Sequence, residues 1–149
     1  MDKIDRKILQ ILQADARASL QEIGRQAGLS ASPCWERIRK MEQSGVIEGF
    51  TVRLNAQALG LNDTVMVQVT LDSHSDNTLE KFGETLAAIP EVVEAYLLSG
   101  EYDYLLRVAV KDTRDYERLL REKLYKIKGI RHSKSSFVLR TLKKADLPL

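Results

Sequence analysis

Apolar residues recur at helical spacing in three successive segments of the first fifty residues. These segments span 2–15, 19–28 and 32–44. Their apolar positions are, in chain order, Ile4, Ile8, Ile11 and Leu12, then Leu20, Ile23 and Ala27, then Cys34, Ile38 and Met41. Steps of three and four residues put each set on one face of a helix. The pattern predicts three amphipathic helices that bury a shared core.

Polar and glycine residues mark the limits of the middle helix. Ser19 and Glu22 have the spacing of a capping box, which ties up two unpaired backbone donors at a helix start. Gly28 stands where a helix ends in the left-handed conformation. Gly24, inside the helix, is expected to loosen it slightly. A short helix, a glycine turn and a further helix match the helix-turn-helix that reads the major groove of DNA.

The third helix carries the predicted DNA contacts. Ser30 or Ser32 can cap it, with Pro33 tolerated in its first turn. Arg37 and Arg39 are expected to donate to guanine edges or phosphates. The residues predicted at the DNA interface are Ser30, Ser32, Pro33, Trp35, Glu36, Arg37, Arg39 and Lys40.

Other interpretations of this helix fit the same spacing. The two helices could also form a plain helical hairpin within another domain. The basic side chains could equally belong to a helix face that only contacts solvent. Trp35 can either pack down or touch DNA. The first helix completes a three-helix core, and Gly45–Asn55 continues as β-prone chain. A strand in that position is typical of winged variants, so the context favours DNA binding.

The hydrophobic pattern changes its period near residue 62. Odd positions from Val65 to Leu71 are all apolar, which predicts a strand. Further strands are predicted at 92–99, 104–110 and 130–142, with helices at 77–89 and from Thr113, as a cap, to Gly129. The order βαββαβ is that of a ferredoxin-like antiparallel sheet with both helices on one side. The chain is therefore expected to be an α+β protein with an N-terminal three-helix (winged) helix-turn-helix unit.

Both faces of the predicted sheet contain apolar residues. On the two middle strands, one alternating set includes Tyr96, Leu98, Leu105 and Ala109, and the other includes Ala95, Leu97, Leu106, Val108 and Val110. Two helices cover one face only, and soluble monomers rarely expose a large apolar patch. Ordinary strand formers with scattered exposure are the alternative. We expect the uncovered face to form a two-fold symmetric homodimer.

Composition limits where and how this protein works. The chain of 149 residues is 44% hydrophobic and 30% charged, which suits a globular protein. No apolar run reaches the length of a membrane span, and Cys34 is the single cysteine, so a cytoplasmic location is expected. The net charge is only +2, and residues 1–50 hold eight basic and seven acidic side chains. A single module should bind DNA weakly, so several copies should act together.

The chain resembles the Lrp/AsnC family of transcriptional regulators nearly from end to end. The similarity is carried by Asp2–Leu9, Gly28–Glu42, Gly45–Ile47, Leu98–Leu106 and Ser135–Leu139. The resemblance implies a helix-turn-helix domain at 1–50, a linker strand and short helix at 51–61, and an effector-binding and oligomerisation (RAM) domain at 62–149. It also implies double-stranded DNA as partner, dimers that assemble into octamers or other higher oligomers, and amino acids or related metabolites as effectors.

The resemblance also places a small-molecule site near the turn after the second strand. The predicted effector residues are Leu98, Gly100, Glu101, Tyr102 and Asp103, with Ser135 and Ser136 as possible neighbours. Gly100 would let a carboxylate approach backbone N–H groups, and Asp103 can pair with an ammonium group. These features suit an α-amino acid. The alternative is that Asp103 merely closes a hairpin turn.

No residue set in the sequence indicates a catalytic or metal site. Cys34 is interpreted as a small core residue rather than a redox sensor, and His74 as a solvated loop residue. His132, Asp103 and Ser135 lack the nucleophile elbow of a hydrolase. We therefore expect no enzyme activity, no cofactor and no metal. A metabolite-sensing oligomeric module without DNA binding is the main alternative to a DNA-binding regulator, and a small enzyme is the weaker one.

Overall fold

The computed structural model describes residues 1–73, 76–145 and 147–149, and only the backbone of residues 76–78. The chain divides into two compact units. The first unit comprises Met1–Arg53 together with Lys143–Leu149, and the second comprises Leu54–Leu142. Each unit has its own hydrophobic core.

The first unit contains the three predicted helices. They are α1 (Lys3–Ala14), α2 (Leu20–Ala27) and α3 (Ala31–Gln43). Their inward faces form one core of buried residues, namely Ile8, Leu9, Ile11, Ile23, Cys34, Ile38 and Met41. Helix α1 begins with a full capping box, in which Asp2 and Asp5 each accept the backbone N–H of the other. The hydrophobic spacing therefore predicted the helices and their packing correctly.

Helix α2 and the turn that follows it differ from prediction in two details. Ser19 accepts the N–H of Glu22, but the Glu22 carboxylate binds Arg25 and Gln26, so the reciprocal half of the capping box does not form. Gly28 ends α2 with φ +73°, as predicted. Gly24 is buried, and a Cβ there would lie 2.6 Å from the carbonyl oxygen of Leu29. Glycine at this position therefore allows the turn to pack against α2, a role that helix propensity alone did not indicate.

The predicted strand after α3 does not form. Residues 46–55, all of which the structure describes, adopt no strand conformation. The N–H groups of Val46 and Ile47 both donate to the carbonyl of Met41, and Ile47 packs on the three-helix core. A β-prone segment becomes a strand only when another strand pairs with it. A single 3-10 turn follows, Gln57–Leu59, which Gly60 ends with φ +78°.

The second unit has the predicted βαββαβ order. Its elements are β1 (Asp63–Leu71), α4 (Asp76–Ala87), β2 (Val92–Leu97), β3 (Tyr104–Val110), α5 (Thr113–Glu122) and β4 (Ile130–Phe137). All pairings are antiparallel, in the order β2-β3-β1-β4. Val67 and Leu106 are among the fully buried strand residues, and they pack with Phe82, Leu86 and Leu119 of the helices. The ferredoxin-like prediction is confirmed.

Several predicted limits in this unit are wrong. Helix α5 ends at Glu122 rather than at Gly129, and a separate 3-10 turn, Leu124–Lys126, follows it. Strand β4 ends at Phe137 rather than at 142, because Phe137 pairs with Val65 and β1 begins only two residues before Val65. Strand β2 ends at Leu97 rather than at 99. The N-cap of α5 is Asp112 rather than Thr113, since its carboxylate accepts the N–H of Asp115.

The face of the sheet opposite the helices mixes apolar and charged residues. Leu105 pairs with Tyr96 on one side and Gln68 on the other, so these three side chains share this face. Beside them, Arg107 donates to Glu94 at 2.5 Å. We call this surface the open face. Its apolar area is interrupted by the ion pair of Glu94 and Arg107 and by Gln68.

Candidate DNA interface and effector region

Helix α3 presents an exposed polar face, as predicted. Its N-cap is Ser30, whose hydroxyl makes no capping hydrogen bond with any described residue, and Pro33 lies in the first turn. Cys34, Ile38 and Met41 are buried on the inner side. Ser30 is exposed, and the exposed side chains within α3 among the predicted DNA contacts are Ser32, Pro33, Trp35, Glu36, Arg39 and Lys40. These residues follow one another at helical spacing, so they form one continuous surface along the helix.

Arg37 forms ion pairs within the first unit. Its Nη1 donates to Asp2 Oδ2 and to Asp5 Oδ1, each at 2.7 Å, and about a third of its side chain is exposed. The pKa of both carboxyl groups is lowered, first by the backbone N–H that each accepts from the other and further by the guanidinium of Arg37. Arg37 therefore connects the start of α1 to the middle of α3. Sequence spacing placed it beside the outer face but did not indicate this partner.

Trp35 and Arg39 form a stacked pair on the exposed face. The Arg39 guanidinium carbon lies 5.2 Å from the centroid of the Trp35 ring, within cation–π range. Trp35 is 47% exposed, so it does not pack into the core. In the part of the chain that the structure describes, neither Arg39 nor Lys40 forms an ion pair. Both cations are therefore available to an external anion.

In the second unit, Asp103 holds the turn between β2 and β3. Its Oδ2 accepts the N–H of Leu71 at 2.7 Å, its own N–H donates to Val69, and its carbonyl accepts from Leu98. One oxygen of its carboxylate is thus already hydrogen-bonded to the last residue of β1. This geometry favours the turn-closing interpretation of Asp103 over direct pairing with an ammonium group.

The remaining loop residues are exposed or half-buried. Gly100 has φ +145°, a conformation that glycine adopts readily, and Gly100 and Glu101 are exposed while Tyr102 is half-buried. Among described atoms, the backbone N–H groups of residues 99–102 have no hydrogen-bond acceptor. A short run of such groups can receive a carboxylate.

The two predicted serine neighbours face opposite sides of the sheet. Ser135 lies on the helix side, with its hydroxyl 2.5 Å from the hydroxyl of Tyr116. Ser136 pairs with Met66 on the open face. Because β4 and β3 are separated by β1, the fold of one chain does not join these serines and the 98–103 loop into one pocket.

A shallow groove that sequence reasoning missed runs between α4 and the edge strand β2. Its lining includes Leu79, Gly83, Ala87, Ala95 and Leu97, and none of the predicted effector residues contributes to it. The alternation of β2 placed Ala95 and Leu97 on one side of the sheet but did not show that α4 leaves them exposed.

The other predicted residues have plain structural roles or lie outside the described residues. Cys34 is fully buried, and burial raises the pKa of its thiol, as expected of a core residue. His74 is outside the described residues. Within the described ranges, no group of three or more histidine, cysteine or acidic side chains is placed to hold a metal ion. None of the described helices has the length and apolarity needed to cross a membrane.

Both units match known protein families. Residues 1–42 match the AsnC-type helix-turn-helix domain, and residues 64–148 match the Lrp/AsnC ligand binding domain. The leucine-responsive regulatory protein of Escherichia coli K12 is 36% identical over 98% of this chain and 89% of its own length.

Solved structures give the same result. An AsnC family transcriptional regulator from Agrobacterium tumefaciens superposes with a TM-score of 0.93 at 41% identity, covering 99% of this chain and 97% of its own. A transcriptional regulator from Neisseria meningitidis in complex with L-Met superposes with a TM-score of 0.93 at 31% identity, covering 99% and 96%.

Proposed function

This chain belongs to the Lrp/AsnC family of transcriptional regulators, and we propose that its DNA-binding surface is the exposed face of α3 and that its effector is an amino acid. It is a helix-turn-helix DNA-binding regulator with a ligand-binding domain. The observation that carries the proposed surface is that Arg39 and Lys40, on the outer side of α3, form no ion pair with any residue that the structure describes. Ser32, Trp35 and Glu36 extend this surface toward the N-terminal end of the helix, where base contacts concentrate in helix-turn-helix proteins.

Arg37 has a different role in this proposal. Its guanidinium binds Asp2 and Asp5, so it positions α3 against α1 rather than reading bases. It can still donate to a phosphate with its remaining N–H groups, since a guanidinium has five donors. Base contacts are assigned instead to cations such as Arg39, for which the described part of the first unit supplies no acceptor.

Duplex binding tests the DNA surface. Fragments selected from the source genome would be titrated with the wild-type protein at several salt concentrations, and affinity should fall as salt rises because phosphate contacts release counterions. Arg39→Ala should weaken binding. Arg131→Ala removes the same charge from exposed β4 and serves as the matched control. Absence of duplex binding by the wild type would favour the alternative of a sensing module without DNA binding. Equal binding by the two variants would instead mean that the DNA-binding surface lies away from Arg39.

The effector proposal rests on the 98–103 loop. Its exposed N–H groups suit the carboxylate of an α-amino acid, and Leu98 and Tyr102 offer apolar surface beside them. The Neisseria relative was crystallised with L-Met, so methionine and leucine are the first ligands to titrate by calorimetry. Tyr102→Ala should reduce the heat of binding, whereas Tyr125→Ala, which alters an exposed tyrosine elsewhere in the unit, should not. Equal heats in both variants would move the effector away from this loop.

We further propose that the protein acts as a homodimer or larger oligomer in the cytoplasm, where operator DNA is found. The open face offers Tyr96, Leu105 and Met66 as the apolar centre of a contact between two copies. A ligand can alter DNA binding only if it favours one assembly or conformation over another. Sedimentation with and without the effector therefore tests the coupling directly.

A further inference from the structure

We propose that Arg39 reads a guanine in the operator and that Trp35 is the residue that positions it. This inference rests on the proposed function, because it assumes that α3 enters the major groove. It starts from one observed contact, the stack of the Arg39 guanidinium on the Trp35 ring at 5.2 Å.

The direction of the stack matters for DNA reading. Side chains of an α-helix lean toward its N-terminus, so a residue reaches over the turn that precedes it. Trp35 lies four residues before Arg39, in the first half of α3 (Ala31–Gln43). The stack therefore carries the guanidinium about one turn closer to the end of the helix that contacts base edges in helix-turn-helix proteins.

Arg39 contacts the Trp35 ring rather than a nearby carboxylate, and this also supports the proposal. Glu36 and Glu42 lie three residues to either side of Arg39, a spacing at which a helix commonly forms ion pairs. Among described residues neither of these carboxylates binds Arg39, whereas on α2 Arg25 does bind Glu22 at the same spacing. Stacked on a ring, a guanidinium keeps its N–H edge unpaired. An ion pair would consume that edge.

Guanine is the base that this edge fits. A guanidinium presents two parallel donors, and guanine presents two acceptors, O6 and N7, in the major groove. A bare arginine loses rotamer freedom when it makes this contact. A ring that already holds the guanidinium reduces that loss, as preorganisation does in other binding sites. Trp35 thus acts on specificity through Arg39.

The test is a base scan on an operator obtained by selection from random duplexes. Wild type should discriminate against substitution of one guanine position by about 5- to 150-fold, the range of one bidentate contact. Arg39→Ala should remove that discrimination at that position alone. Arg39→Lys should retain the salt dependence of binding but lose most of the discrimination, because an ammonium group cannot form the bidentate pair.

Variants of Trp35 separate positioning from contact. Trp35→Leu should lower discrimination at the same guanine by about 2- to 5-fold, as expected for an exposed cation–π pair. Trp35→Phe, which keeps an aromatic face, should retain more of it. The double variant with Arg39→Ala should show no loss beyond Arg39→Ala alone. Circular dichroism and thermal midpoints would establish that each variant is folded.

Specific outcomes would overturn the proposal. A uniform loss of affinity across all sequences in Arg39→Ala would make Arg39 a phosphate contact. A loss at a different base pair in Trp35→Leu would make Trp35 a base contact itself, and unchanged discrimination would remove its role altogether. Failure of the wild type to select any sequence would instead refute the proposed function, so the two failures are distinguishable.

Discussion

Arg37 Nη1 lies 2.7 Å from Asp5 Oδ1, and this contact joins α3 to the first turn of α1. The same nitrogen donates to Asp2, whose carboxylate also caps α1. One side chain of α3 therefore binds the residues that cap the N-terminus of another helix. The orientation of α3 depends on this connection as well as on the apolar core beneath it.

Acid should weaken the first unit through these two carboxylates. Their pKa values are lowered in the folded state, so their contribution to stability is complete above the unfolded pKa of about 4 and is lost as pH falls through the folded values. We expect the wild type to lose stability faster than Arg37→Gln between about pH 5 and pH 2. Trp35, the single tryptophan, reports on this unit by fluorescence during denaturant titration.

The control for this prediction is Arg25→Gln. Arg25 pairs with Glu22 on the exposed surface of α2 and touches neither Asp2 nor Asp5. At neutral pH, Arg37→Gln should unfold at a lower denaturant concentration than Arg25→Gln. If both variants unfold at the same midpoint at every pH, Arg37 contributes no more to the unit than a surface ion pair does.

Gly24→Ala should destabilise the first unit despite the better helix propensity of alanine. The new Cβ would meet the carbonyl of Leu29 at 2.6 Å, and overpacking of this kind costs roughly 1–3 kcal/mol, against a propensity gain of about 1 kcal/mol. Gly49→Ala, where a Cβ meets nothing within 4 Å, is the neutral control. Equal unfolding midpoints for the two variants would show that the turn yields without cost.

Gly83→Ala should have the opposite effect and stabilise the second unit. Gly83 lies inside α4, and a Cβ there would contact the Tyr104 side chain at ordinary distances of 3.6 Å and 3.7 Å. Replacing a helical glycine gains roughly 0.5–1 kcal/mol when no clash opposes it. Thermal unfolding of the second unit should therefore shift upward, and a downward shift would mean that the groove between α4 and β2 needs the space.

Hydrophobic spacing predicted the two cores and the order of strands and helices along the chain, because the period of the apolar positions marks the face of each element that is buried. Hydrophobic spacing could not predict which side chains of the candidate DNA interface bind one another. The partner of Arg37 lies more than thirty residues away, on a different helix, so no local pattern marks it. The 46–55 segment shows the reverse case, since its strand propensity is visible in the sequence but none of the described strands pairs with it. The stack of Trp35 and Arg39 is a local contact between residues four positions apart on one helix, a spacing that is visible in the sequence.

Asp103→Ala should destabilise the second unit more than Asp103→Asn. Alanine leaves the N–H of buried Leu71 without its acceptor, which costs about 1–3 kcal/mol, whereas asparagine retains a carbonyl oxygen there. If Asp103 only closes the turn, folded Asp103→Asn should bind an amino acid as the wild type does. Normal stability with lost binding in that variant would instead restore the ammonium-pairing role. Thermal unfolding and calorimetry on the same samples decide between these roles.

Leu105→Lys should disperse the oligomer while Leu97→Lys leaves it intact. Leu105 lies at the centre of the open face, where an added ammonium group would oppose close packing of a second copy, and Leu97 lies on the helix side of the same sheet. Sedimentation at micromolar concentration measures the difference. Dispersal should also weaken operator binding more than Arg39→Ala does, because a linked second DNA-binding unit acts at high effective concentration. If Leu97→Lys disperses the protein and Leu105→Lys does not, the contact between copies lies instead at the groove between α4 and β2.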